Sequence, residues 1–303
     1  MAPTRARPSD ALLECVPNVS EGRDAALIRS LGDAVEAAGA RLLDVHADVD
    51  HHRSVFTYLG PPDAVERATL SLARLAVERI DMRQHAGVHP RVGAVDVVPF
   101  VPLRGLSMAD AVASARRVGR AFCEATGVPV FFYAEAATDP ERRELPVVRW
   151  GGFERLAERL AEPEWHPDCG GPAPHPTAGL TIVGARSMLI ALNAMLDTPD
   201  AATARAIATT IRESAPGGLP RVRAIGVPLA SRGIAQVSMN LLDYRVTPPA
   251  VVVERVRREA RARGVAVTAW ELVGCAPAAA FPDPAALGVT LRPSALLDRD
   301  VLS

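Results

Sequence analysis

Two histidines four residues apart, His85 and His89, lie in the stretch Asp81 to Phe100, DMRQHAGVHPRVGAVDVVPF, with Pro90 and Arg91 directly after the second. A His-x3-His pair on a helix would present both rings on one face, as zinc ligation needs, but Gly87 and Pro90 break such a helix. Loop histidines open to water are the ordinary alternative. The reading that carries chemistry is a general base: a ring that titrates near neutrality, stiffened by Pro90, with Arg91 beside it to hold an anionic substrate.

A second cluster, DVHADVDHHRS from Asp44 to Ser54, falls between two strand-like runs. A polar hairpin turn explains it, and so does a site at strand ends. His46-x-Asp48-x-Asp50 followed by His51-His52 resembles the signature of DHH-type manganese phosphoesterases, but the further Asp and His motifs of that family do not follow. A third feature, Asp168-Cys169-Gly170-Gly171 to Thr177-Ala178-Gly179, mixes flexible and rigid residues where a flat ligand could approach backbone. It matches neither a Walker nor a dinucleotide glycine pattern.

The elements that must position these groups belong to an ordinary globular composition. The chain has 303 residues, 49% of them hydrophobic, which suits two medium domains or one large one. A formal charge of -1 gives no footprint for nucleic acid or an anionic membrane, so anionic ligands must be met by local arginines. All 34 basic residues are arginine, which rules out a lysine Schiff base and a P-loop lysine. Cys15, Cys123, Cys169 and Cys275 are scattered and never form CxxC, as expected of reduced thiols. The run ALLECV is too short for a signal-peptide core, and no 18-residue apolar stretch occurs. A soluble cytoplasmic protein without metal, nucleic-acid or membrane partners is expected.

Strand-like runs LLECVPNV, RLLDVHA, SVFTYLG, GAVDVVPFV and VPVFFYAE alternate with helical patterns at Asp24 to Ala38, Asp63 to Ile80 and Ser107 to Thr126. After the Pro/Gly-rich Pro163 to Gly179, read as a domain boundary, LTIVGA, MLIALNAML, VRAIGVPL, IAQVSMNLLDY and VAVTAWELVG alternate with helices around Ala201 to Ser214 and Pro249 to Ala262. The halves echo each other: SVFTYLG leads through Pro61-Pro62 into DAVERATLSLARLAV, and SMNLLDYRVT leads through Pro248-Pro249 into AVVVERVRREARARG. This pattern predicts an α+β fold of two ferredoxin-like subdomains, each a mixed sheet covered by helices, with a cleft between them. The expected organisation is a disordered tail at 1–10, subdomains at 11–178 and 179–281, and a loosely packed tail at 282–303.

Taken in order, CVPNVSEGRD, LLDVHADVDHHRSVFTYLGPPDAV, IDMRQHAGVHPRVGAVDVVPFVPL, GVPVFFYAEAA, PERRELP, HPTAG, VGAR and AQVSMNLLDY resemble the formiminotransferase family, from about residue 12 to about residue 277. The resemblance implies transfer of a formimidoyl group between 5-formimidoyltetrahydrofolate and L-glutamate in histidine degradation, with tetrahydrofolate as cosubstrate in a tunnel between the subdomains of a homodimer. With 303 residues, the cyclodeaminase domain that some members carry is not expected here. The family's His-Pro-Arg motif falls on His89, its general acid and base. Its folate-contacting segment falls on Gly170, Gly171, Pro172, Ala173, Pro174, His175, Pro176, Thr177, Ala178 and Gly179. Arg53 and Arg91 are the candidate cations for substrate carboxylates. A folate-binding or regulatory protein without turnover is the competing class, and a formyl or formimidoyl transferase for another amine is a further alternative.

Two positions depart from the family's pattern. Val88 stands where an acid commonly precedes the histidine, and His46 where an acid often follows Asp44-Val45. Either carboxylate could orient an imidazole or raise its pKa. Asp48, Asp50 and Asp96 are the nearby acids left to supply that charge.

Overall fold

The computed structural model describes residues 11–302, so the tail expected over residues 1–10 lies outside it. The chain divides into two units, one ending at Arg186 and the other starting at Ser187. In the first, LLECVPNV makes two short strands, β1 (Leu13–Cys15) and β2 (Asn18–Val19), because Pro17 has no N–H for the ladder. There follow α1 (Ala25–Ala37), β3 (Arg41–Asp48), β4 (Arg53–Gly60), α2 (Pro62–Arg79), β5 (Val95–Pro102), α3 (Met108–Thr126) and β6 (Val130–Ala134). Two short helices, α4 (Leu145–Val148) and α5 (Leu156–Leu160), precede β7 (Thr181–Ala185).

Local chemistry sets the helix ends. The Asp24 carboxylate accepts from the N–H groups of Ala26 and Leu27 at the start of α1, and Ser107 with Asp110 forms a reciprocal capping box at the start of α3. The Pro61-Pro62 pair opens α2, where an N–H would have no partner anyway.

Strands run in the order β3, β4, β1 with β2, β5, β7, β6. The part up to β5 is a ferredoxin-like unit: its fourth, first, third and second strands lie side by side, and β7 and β6 extend it in parallel. One face buries Phe56, Tyr58, Phe100 and Phe132 beneath α1, α2 and α3, the last of which contributes Phe122. On the other, Val97, Phe131, Tyr133 and Ile182 pack against Val148, Leu156 and Leu160 of the β6–β7 insert. Covering on both faces accounts for the nearly unbroken apolar runs of β5 to β7.

The second unit contains β8 (Ile190–Leu196), α6 (Ala201–Ile211), β9 (Val222–Leu229), β10 (Ile234–Leu241), α7 (Pro249–Arg261) and β11 (Val267–Val273). Its order, β11-β8-β10-β9, is again fourth-first-third-second, all antiparallel. The two double prolines occupy equivalent places, between the third strand and second helix of each unit, so the sequence echo corresponds to a repeated topology.

Two expected boundaries shift. LTIVGA becomes β7 and pairs with both β5 and β6, so the first unit extends to Arg186 rather than stopping at 178, and Pro163 to Gly179 lies inside it. The segment from 282 is not loosely packed. Val289, Ala295 and Leu297 are buried, and β12 (Ala276–Pro277) pairs with β13 (Leu296–Leu297) ahead of α8 (Arg299–Leu302), because the second sheet needs apolar cover beyond α6 and α7.

The turn at His175–Gly179 is closed by two backbone hydrogen bonds between those residues (2.8 and 3.0 Å), and Ala178 N–H donates to the His175 Nδ1 atom at 3.0 Å. Thr177 and Ala178 carbonyls accept from Met82 and Ala94, which docks the turn beside the His-Pro-Arg segment. Gly179 has φ +71, and a Cβ there would stand 2.3 Å from the Val92 carbonyl oxygen. Gly179→Ala is expected to lower stability by about 2 kcal/mol or more, read from urea unfolding; a wild-type transition would show that the turn can move.

Glu14 is 3% exposed on β1, and burial pushes its carboxyl from the usual 4.5 up to about 7 against the pull of the Arg186 cation. The folded chain then holds a proton that the unfolded chain has lost between those values, so stability falls as pH rises through this window. Glu14→Gln should flatten the fall in melting temperature between about pH 5 and about pH 8. An unchanged pH dependence would remove Glu14 as its source.

Candidate active site

Alternation along β3 and β4 builds one wall. Register pairs Asp48 with Arg53, His46 with Val55 and Asp44 with Thr57, which sets these side chains on the face opposite Phe56 and Tyr58. The irregularity at Leu43 makes this possible: Leu42 and Val45 both pack on the helix side while Asp44 is buried on the other. The position occupied by His46 is therefore flanked on its own face by two carboxylates, Asp44 and Asp48.

At the edge where β3 ends and β4, β5 and β7 begin, three loops are fastened together. Ser20 donates from its N–H to the Ala94 carbonyl (2.8 Å) and from its hydroxyl to that of Gly93 (2.7 Å). Arg23 bridges the Val49 and Ala86 carbonyls at 3.1 and 3.0 Å. Asp48 accepts from the Asp50 and His51 N–H groups, closing the β3–β4 turn. The turn meets the histidine loop so closely that a Cβ on Gly87 would sit 2.3 Å from the His51 carbonyl oxygen. Val88 donates its N–H to Asp50 and keeps a 39% exposed side chain, so an acid at this position would stand at the rim.

The two histidines separate in role. His85 is buried, stacks on His52 at 4.2 Å between ring centroids, donates from Nε2 to the His52 carbonyl (2.7 Å) and accepts at Nδ1 from Arg91 (3.1 Å). Arg91 directs the rest of its fork at Glu154, at 2.6 and 2.9 Å, and at the His85 carbonyl. Expected as a carboxylate clamp, Arg91 instead spends its donors within the chain and fixes His85. Glu154 is held below the usual carboxylate range by that hydrogen bond.

His89 has a different environment. Its Nδ1–H donates to the Pro90 carbonyl at 2.8 Å, which leaves the lone pair on Nε2. Arg53 Nη1 stands 2.9 Å from Nε2 and 3.3 Å from Nδ1. The two nitrogens flank a single ring carbon, so near-equal distances put the guanidinium over that side of the ring and off either lone-pair axis. Arg149 pairs with Asp96, which is fully buried and also accepts from the Val92 N–H (2.9 Å), and the His51 ring lies 5.5 Å away. Burial, then Arg53, Arg149 and His51, hold the His89 imidazole well below its usual value, with the Pro90 carbonyl opposing. Arg53 is itself lowered to about 10 by burial and Arg149 and remains a cation at neutral pH. The arrangement is a neutral imidazole beside a cationic fork.

Of the expected site residues, the loops bring together His89 and Arg53, with Arg91 behind them and the Gly179 end of the 170–179 segment alongside at Gly93. Gly170 lies by Pro129 and Cys123, while Gly171, Pro172 and Ala173 are exposed. Arg149 and Glu154 were not found from the sequence. Each lies more than fifty residues from its partner, and an arginine among many carries no local signal. Among the described residues, no group of three or more His, Cys, Asp and Glu is placed to hold a metal ion.

Residues 12–186 match the formiminotransferase domain, N-terminal subdomain, and residues 191–290 match the formiminotransferase domain. A glutamate formimidoyltransferase of Streptococcus pyogenes serotype M1 is 43% identical over 90% of this chain and 92% of its own length, and one from Thermoplasma acidophilum is 41% identical over 91% of each. The formimidoyltransferase-cyclodeaminase of Gallus gallus is 46% identical over 90% of this chain, which spans about half (52%) of that protein. With both domain matches in order and this identity over nine-tenths of its length, the chain belongs to the formiminotransferase family.

Proposed function

We propose that this protein is a glutamate formimidoyltransferase that moves a formimidoyl group between 5-formimidoyltetrahydrofolate and L-glutamate, with His89 as general acid and base. The observation that carries the reading is the neutral His89 imidazole beside the Arg53 cation, at the edge where the family's motifs converge. Transfer requires an amine to attack the formimidoyl carbon and lose a proton, and the departing nitrogen of the tetrahedral intermediate must then take up a proton as its C–N bond breaks. A single imidazole accepts the first proton at Nε2 and returns it in the second step. The Pro90 carbonyl fixes the tautomer, and Arg53 keeps the ring unprotonated while offering N–H donors to a substrate carboxylate.

On this reading the folate lies along residues 170–179, where a Cβ on Gly171 would meet only open space and half-buried His175 and Thr177 flank the turn. The family's cytoplasmic location, homodimeric state and place in histidine breakdown belong to the same proposal.

Release of tetrahydrofolate from 5-formimidoyltetrahydrofolate, with glutamate and then a panel of other amines, tests the activity. His89→Ala should lower turnover by about a hundredfold or more. Folate binding without turnover for any amine would replace the enzyme with a binding protein. Because His89 is held low, its basic form persists below the ordinary histidine range, so kcat/KM should stay level from neutral pH past about 6.5 before falling on the acid side. Arg53→Ala is expected to raise KM for glutamate and move that acid limb to higher pH. Unchanged values of both would exclude Arg53 from the site.

A further inference from the structure

Between β6 and β7 lie two buried arginines, Arg142 and Arg159, 9% and 2% exposed. Arg159 donates from Nη1 to the Trp150 carbonyl at 2.6 Å and from Nη2 to the Val148 carbonyl at 2.7 Å. Its guanidinium lies 4.6 Å from the Trp165 ring centroid and 5.6 Å from that of Phe131. Arg142 sits on the same two rings, at 5.9 and 4.8 Å, but donates to the carbonyls of Glu164 and His166. Burial is costly enough to pull Arg159 down to about 10. An apolar side chain of similar size would fill this space without desolvating a cation. What an apolar residue cannot do is hold two carbonyls at a fixed spacing, and those two belong to the residues on either side of Arg149.

We infer that Arg159 is a positioning residue of the site: its fork fixes the backbone flanking Arg149 and thereby places the second cation beside His89. This rests on the reading of His89 as the acid–base group. Local structure leaves the work to Arg159, because α4 is a single turn and Gly151 and Gly152, both at positive φ, follow Trp150. Further ties are the Phe153 N–H to the Arg91 carbonyl at 2.9 Å, the Arg91–Glu154 ion pair and the packing of buried Val148, none of which holds the carbonyls on both sides of Arg149. The charged and titratable groups around His89 are Arg53 on β4, His51 and Asp48 in and before the β3–β4 turn, Asp96 on β5 and Arg149 on the insert. Withdrawing Arg149 removes a positive charge and also takes from Asp96 the cation it is paired with, and both changes favour the imidazolium.

The test is a histidine-ring NMR titration of the full chain, with the His89 signal identified by its loss in His89→Gln. Arg149→Met and Arg159→Met should each raise the His89 pKa by about half a unit to one unit, and Arg142→Met should leave it in place. Arg159→Lys, which keeps the cation on the rings and can reach one carbonyl, should give a smaller rise and decides the matter if the methionine variant fails to fold. A His89 value unmoved by Arg159 substitution, or moved equally by Arg142→Met, overturns the inference. The readout needs no turnover, so a protein that proves inactive would sink the proposed activity without touching this result.

Discussion

The arrangement of the site depends on one electrostatic constraint: an imidazole that must stay neutral is set against the Arg53 guanidinium in a largely desolvated place. Like charges at this range are worth roughly 1–4 kcal/mol, depending on how much water screens them, so protonation of His89 is disfavoured and the base form is the resting state. The same environment would repel Arg53 and Arg149 from each other. Asp96 and Asp48 offset that repulsion, and Asp96 is itself fixed by the Val92 N–H. Removing any of these charges leaves another without its counterpart in a place where water cannot supply one.

Building such a cluster needs rigidity from several directions, and the fold provides it through backbone contacts more than through side-chain pairs. Ser20, Arg23 and the 175–179 turn bond to carbonyls or N–H groups of neighbouring loops, and Asp48 closes its own turn through two N–H groups. Side chains are excluded at Gly87 and Gly179, where chain segments touch. The helices and the hydrophobic face below them are common to both units. The difference lies in the first unit's α3, its extra strands and the insert between those strands, which carries Arg149, Glu154 and residues 170–179.

Much of this was legible from the residues. Strand and helix positions followed periodicity and caps, since Asp24, Ser107 and the two double prolines are local signals that mark helix starts. His89 stands out because Pro90 and Arg91 make an unusual neighbourhood that matches the family's His-Pro-Arg motif, and Arg53 is a candidate by its position. The 178/179 boundary was misplaced for a physical reason: prolines and glycines mark a loop but do not say which sheet the next strand joins. LTIVGA reads as the start of a new unit until its pairing with β5 and β6 is known. The burial of Val289, Ala295 and Leu297 is likewise hidden in the sequence, since a short irregular segment has no period to reveal it.

By itself, the sequence determined the family, the two-unit α+β plan, the place of the His-Pro-Arg motif at His89 and the absence of any lysine chemistry. Tertiary structure decided which arginine does what. Arg53, Arg91, Arg149 and Arg159 are chemically the same group, and their roles diverge only through what they meet: an imidazole, a glutamate and a histidine, a buried aspartate, and two carbonyls. Those partners lie far off in sequence and come together through strand register and loop packing. Charge interactions depend on distance and solvent exposure, and neither is encoded in the local order of residues.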